Sequence, residues 1–188
     1  MSDAGAGRGG TADDGRRRIV AAIHDAEPRL VLAIAGGGNA AITDLLDVPG
    51  ASRTVLEVVV PYAEPALIDL LIDRPGASMP DLATTGAVSQ QTVEDMAASC
   101  LHRARRLAHR LDLESNQLLG VACTAALVSD RPKRGAHRAH IAVARADGIA
   151  HRRVDLKKGQ LDRAGEDRVV ADAVLGVIAD ACGLALQT

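Results

Sequence analysis

Six consecutive apolar residues, Leu30 to Ala35, run directly into Gly36-Gly37-Gly38-Asn39. The run is short, lacks any polar face and ends on glycines, which suits a strand covered on both sides. A strand buried on both faces needs helices above and below it, so this segment alone points to a layered α/β protein. The glycines turn the chain into a helix whose Ile42, Leu45 and Leu46 face inward, with Asn39 placed as its N-cap. Asp47-Val48-Pro49-Gly50 closes that helix.

The rest of the chain repeats the alternation. A second strand is expected over about 53–60, stopping at Pro61-Tyr62, and Pro65 suits the first turn of a helix carrying Leu67, Leu70 and Leu71. A Pro/Gly-rich connection, 74–86, leads to Ser89, the expected N-cap of the longest helix, with Val93, Met96, Cys100, Leu101, Leu107 and Leu111 in one stripe. Strands follow at about 118–124, 138–145 and 150–156, the last two joined by Asp147-Gly148 as a hairpin, before a final helix with Val169, Val170, Val174, Val177 and Ile178. Residues 1–15 carry no apolar period and read as a disordered tail, leaving 16–188 as a single domain. The expected architecture is a three-layer α/β/α sandwich with a mixed sheet.

Composition narrows the function classes. Tyr62 is the only aromatic residue among 188, so the core must be built from Val, Leu, Ile and Ala. Lys and Arg number 22 against 24 Asp and Glu, a balance that argues against general nucleic-acid binding, which rests on phosphate neutralisation. Leu30 to Ala35 is too short to cross a bilayer. Cys100, Cys123 and Cys182 are widely spaced and form no CxxC pair; read without a secretory leader, they predict reduced thiols in a cytoplasmic protein, with Cys100 and Cys182 buried. His137 and His140, three apart on a strand, point to opposite faces, so no metal site is expected. No cofactor is implied, and a homo-oligomer is the expected assembly.

Ligands on such sheets sit beyond the carboxyl ends of the parallel strands, where three loops are expected to converge: 36–39, 61–64, and Thr124 onward. The turn Gly36-Gly37-Gly38-Asn39 is able to present backbone N–H groups to an anion, although a tight turn alone also needs glycine. Arg131, Lys133, Arg134, His137, Arg138 and His140 form the one dense basic cluster outside the helices; they read equally as a solvated loop or as a clamp for phosphate or carboxylate. Cys123 beside Thr124 reads as a small buried hydrophobe rather than a nucleophile.

The run Ala33 to Ser52, ending Leu46-Asp47-Val48-Pro49-Gly50-Ala51-Ser52, resembles the opening of the C-terminal domain of the competence/damage-inducible protein CinA. The resemblance continues through Val58-Val59-Val60-Pro61-Tyr62, the segment from Gly86 to Val93, the strand ending at Thr124, and the hairpin with its final helix, covering about residues 17–185 in order. It implies the CinA domain fold and a relation to nicotinamide-nucleotide amidohydrolases, which release ammonia from nicotinamide mononucleotide.

The departures from that pattern fall on its chemistry. The family's first turn reads Glu-Ser-Cys-Thr-Gly-Gly, with Ser as nucleophile; aligned on Asp47-Val48-Pro49-Gly50, Ser becomes Ala35, Glu becomes Ile34 and the last Gly becomes Asn39. No Ser occurs between Ser2 and Ser52, so no shift of register restores it. The family's Tyr is matched by Tyr62, but its Lys five residues later becomes Leu67. Its Gly-Asp-Arg is loosely echoed by Leu161-Asp162-Arg163. A Ser nucleophile needs a base or cation, and both partners are missing. Three readings follow. In the first, the domain binds a nucleotide or other phosphorylated small molecule through Gly36, Gly37, Gly38, Asn39, Tyr62, Thr124, Arg134 and Arg163, with His137 adding charge. The second is a diverged hydrolase using Tyr62, Thr124 and His137, and the third a non-catalytic scaffold or regulatory subunit.

Overall fold

In a computed structural model, described here for residues 7–112, 117–130 and 135–184, the chain forms one five-stranded mixed sheet between two helical layers. In chain order the elements are α1 (Gly7–Asp25), β1 (Arg29–Ala35), α2 (Ala40–Asp47), a 3-10 turn (Ala51–Arg53), β2 (Val55–Val59), α3 (Glu64–Ile72), α4 (Leu82–Thr85), α5 (Gln90–Arg110), β3 (Leu118–Ala126), β4 (His137–Arg145), β5 (Gly148–Leu156) and α6 (Arg163–Ala181). The expected order of strands and longer helices holds, with the one-turn α4 an addition inside the connection expected over 74–86. One boundary does not: α1 already begins at Gly7, inside the stretch expected to be a tail. No helix among the described residues is long and apolar enough to cross a membrane.

The strand order is β2-β1-β3-β4-β5, with β1 parallel to β2 and β3, and β4 antiparallel to both β3 and β5. The β4–β5 hairpin pairs Arg145 with Gly148, so its two-residue turn is Ala146-Asp147, one position earlier than expected. The alternation along β1 splits the core in two. Leu30, Leu32 and Ile34 face a layer of α1, α2 and α6, while Val31, Ala33 and Ala35 face α3 and α5.

The two faces solve the lack of aromatic rings differently. Toward α6 the sheet offers Leu119, Val121, Ile141 and Val143, which meet Val170, Val174 and Ile178. Each such side chain, once buried, contributes about 1.5–3 kcal/mol. Toward α5 the central strands carry mostly small residues, Ala33, Ala35, Ala122, Ala142 and Ala144. Small side chains leave no gap because α5 sits unusually near. A Cβ at Gly120 would lie 2.1 Å from the Ala97 carbonyl oxygen and 2.2 Å from the Leu101 nitrogen, so the helix backbone rests directly on β3. Ser89 caps this helix as expected, its hydroxyl accepting from the Thr92 N–H at 3.2 Å.

A buried imidazole ties the first layer together. His24 is fully buried on α1, with Nδ1 2.9 Å from Thr54 Oγ1 and Nε2 3.1 Å from the Leu45 carbonyl oxygen. A carbonyl only accepts, so Nε2 carries the proton and Nδ1 takes the Thr54 hydroxyl's. Burial holds the ring's pKa below its ordinary value, which favours this neutral form.

The three cysteines are free thiols. Cys100 and Cys123 are buried, but Cys182 is only half-buried, because it follows the last turn of α6 as its C-cap, where the expected face runs out. Burial pushes the Cys100 thiol up to about 12 and Cys182 to about 11, and raises Cys123 as well. Thiol labelling of the native protein is therefore expected to modify Cys182 alone, and slowly. Cys100 and Cys123 should react only after denaturant is added; native labelling of either would contradict the packing of α5 on β3.

Candidate functional site

The three expected loops do meet at the carboxyl ends of β1 and β3, but the groups there are bonded to one another. The main surprise is a carboxylate from the far end of the chain. Asp167, at the start of the second turn of α6, accepts from the Gly38 N–H at 2.7 Å and the Asn39 N–H at 3.1 Å through Oδ1, and from the Ala40 N–H at 3.1 Å through Oδ2. These are the amides of the turn leading into α2 and of its first residue, so Asp167 sits where an anion was expected. Asn39 is not the side-chain cap of its own helix; its amide instead donates to Asp167 Oδ1 at 3.1 Å.

The glycines answer to packing. Gly36 has φ of 84°, and a Cβ there would lie 2.1 Å from the Ala125 carbonyl oxygen. At Gly37 it would lie 2.3 Å from Leu127 Cδ1, and at Gly38 3.0 Å from Val170 Cγ1. What crowds each glycine is this chain's own β3 end and α6, so the turn is closed against protein on the sides the glycines expose.

The remaining expected residues are engaged in the same manner. Thr124 is buried, and its hydroxyl donates to the Ala87 carbonyl at 2.7 Å. Arg138 donates to the next carbonyl, Val88, at 3.0 Å, so segment 86–89 is strapped over the strand ends. Arg163 clamps two loops by donating to Gly36 O at 2.7 Å and Val128 O at 3.1 Å. His137 is buried with Nδ1 2.7 Å from Glu166 Oε1, and Glu166 Oε2 accepts from the Val128 N–H at 2.7 Å. Cys123 Sγ lies 3.5 Å from the Gly37 carbonyl oxygen, a buried thiol and no nucleophile. Tyr62 is 79% exposed, its side chain standing largely in solvent. Arg131, Lys133 and Arg134 lie outside the described residues.

Ala35 and Leu67 mark the sharpest change. Where the resemblance calls for Ser and Lys, the side chains are 8% and 4% exposed and belong to the same apolar cluster under α5. A groove of about 610 Å³ does open nearby, between β2, α3 and α5, walled by Val59, Val60, Pro61 and Leu70. It contains none of the expected site residues, and Arg103 on its floor is already held by Glu57 and Asp73.

His137 and His140 point to opposite faces, as their spacing predicts: His137 meets α6, whereas His140 pairs with His151 of β5. His140 Nδ1 and His151 Nε2 are 3.0 Å apart with ring centroids 5.2 Å apart, which is nearly the length of an edge-to-edge N–H···N bond in one plane. Among the described residues no three His, Cys, Asp or Glu side chains converge on a metal-sized space.

No family model matches the sequence, and no curated protein is significantly similar to it. Solved structures are. The competence/damage inducible protein CihA from Agrobacterium tumefaciens superposes with a TM-score of 0.68 at 21% identity, covering 96% of this chain and 99% of that one. A CinA superfamily protein from Klebsiella pneumoniae 700603 gives 0.66 at 19%, covering 91% and 95%. Another, from Enterobacter cloacae, gives 0.66 at 18%, covering 96% and 98%. The chain has the CinA-like fold. That likeness spans nearly the whole length of each CinA protein, so the domain is matched end to end rather than in part.

Two residues of the site escaped the sequence reading, Glu166 and Asp167. A signal for Glu166 was available: the stripe Val170, Val174 and Ile178 extends back by one turn onto Glu166, which puts a carboxylate on an apolar face. Asp167 has no comparable sign, because its partner amides are 127–129 residues away.

Two outcomes test this CinA-like arrangement. Asp167→Ala should cost about 1–3 kcal/mol in urea denaturation, since two part-buried amides and the exposed Asn39 amide lose their acceptor, and Asp167→Asn should cost less. The second concerns pH. Burial, then the positive charges of His151, Arg138 and Arg153, hold the pKa of His140 below 6.5. As pH falls below that value the unfolded chain takes up a proton that the folded chain does not, so stability declines. The melting temperature should therefore drop between about pH 7.5 and pH 5.5, and drop less in His140→Gln; an equal drop in the variant would contradict the account.

Proposed function

We propose that this chain is a non-catalytic CinA-like domain that acts as a scaffold or regulatory subunit. The observation that carries the reading is the pair Ala35 and Leu67, two buried members of one apolar cluster at the positions where amidohydrolase chemistry needs Ser and Lys. A diverged hydrolase built on Tyr62, Thr124 and His137 finds little support. Tyr62 is exposed, the Thr124 hydroxyl is donated to Ala87, and His137 is buried against Glu166.

Binding of a nucleotide or other phosphorylated molecule is the competing reading. At the glycine turn such a ligand must displace Asp167 from three amides or lie beside its carboxylate. Like charges at that distance repel, and the displaced amides gain nothing they did not already have. Arg163 also answers to two backbone carbonyls before it meets any ligand.

The test combines turnover with binding. Purified protein is expected to release no ammonia from nicotinamide mononucleotide over many hours. Calorimetry with nicotinamide mononucleotide, adenosine monophosphate and inorganic phosphate should show no heat at about millimolar concentration. Sustained multiple turnover that survives repurification would overturn the proposal. Tight binding without turnover would replace it with the ligand-holding reading.

A further inference from the structure

The two edges of the sheet differ in what they leave open. β5 pairs with β4 residue by residue from Gly148 to Leu156, and among the described residues no strand pairs with its outer edge. Nine residues of one-sided strand present a row of unpaired N–H and C=O groups, which proteins ordinarily cover or guard. We propose that this edge pairs antiparallel with β5 of a second copy about a two-fold axis through Val154, joining two sheets into one of ten strands.

The choice of partner and register rests on charge. In a symmetric antiparallel pair, facing residues share a side of the sheet, so the axis must pass through a residue. An axis at Arg152 or Arg153 sets that arginine directly against its own copy, and an axis at Asp155 does the same with two carboxylates. With the axis at His151 no two charged residues of β5 face each other, so nothing favours that register. With the axis at Val154 the conflict disappears: Arg153 faces the second copy's Asp155, twice by symmetry, Arg152 faces Leu156, and Val154 faces Val154. Like charges thus block the registers centred on Arg152, Arg153 and Asp155. An axis at Ala150 also brings opposite charges together, Arg153 with Asp147 and Asp155 with Arg145, but those partners lie in the hairpin turn and on β4. Val154 therefore centres the one register that pairs Arg with Asp within β5 itself.

The side chains are already in place. Arg153 and Asp155 are both exposed, and Arg153 Nε and Nη2 lie 3.0 and 2.7 Å from Asp155 Oδ1. Pairing would set each carboxylate between two guanidinium groups. On the other face, Val154 and Leu156 are only partly buried against the α6-side core, and a neighbouring strand would finish covering them. The inference is independent of whether the domain is catalytic.

The experiment is a charge swap read by size-exclusion chromatography with light scattering at about 100 µM. Wild type is expected as a dimer of twice the 19.5 kDa chain. Arg153→Asp and Asp155→Arg should each weaken dimerisation by at least about ten-fold, because two attractive pairs become repulsive. The double variant carrying both should recover wild-type association to within about three-fold. Circular dichroism melts confirm that each single variant is folded; should either not be, the milder Asp155→Asn, with an expected loss of about three-fold, takes its place. A monomeric wild type, a dimer indifferent to the single changes, or a double variant that stays monomeric would each overturn the proposal.

Discussion

The carboxylate of Asp167 holds the two ends of this fold together. It belongs to the last helix, yet it caps the helix that follows the first strand, across about 128 residues of chain. One side chain thereby satisfies the first amide of α2 and the two before it, sets α6 against the strand ends, and fixes the path of the glycine turn between them. Its neighbour Glu166 does a similar job one residue earlier, joining His137 of β4 to the loop after β3. The N-terminal end of α6 is thus the place where β1, β3 and β4 are brought to order.

The second constraint is steric. With one aromatic residue in the chain, and that one exposed, the core has no large rings to span a gap between sheet and helix. The molecule compensates by closing the gap. Gly120 and a face of alanines let α5 rest on the central strands at backbone contact, while the opposite face keps ordinary spacing with Leu, Ile and Val. Both layers reach a close-packed interior by different routes, one by thin side chains and a near helix, the other by bulkier ones.

These two constraints operate within a CinA-like outline. In a CinA-like fold the carboxyl ends of β1 and β3 form the natural opening, and here the opening is occupied by the protein itself. Thr124 and Arg138 bind backbone carbonyls of segment 86–89, Arg163 binds those of Gly36 and Val128, and Asp167 fills the amides. Converging polar groups serve either a ligand site or the support of the fold, and here each of these has a partner within the chain. The same residue types serve either end, which is why their identity alone did not decide between them.

The sequence by itself determined the element order, the two-sided burial of β1 and the opposed directions of His137 and His140, because apolar periodicity is local and strand alternation has period two. It also carried the loss of Ser and Lys at Ala35 and Leu67, since identity at a position needs no coordinates. The tertiary structure alone decided the rest. Three glycines in a row read as room for a ligand until β3 and α6 are seen to take up that room. Asn39 read as a cap until Asp167 took the amides, and only the packing shows that Tyr62 stands largely in solvent. Each of these depends on contacts between residues distant in the chain, and such contacts leave no mark in the spacing of neighbours.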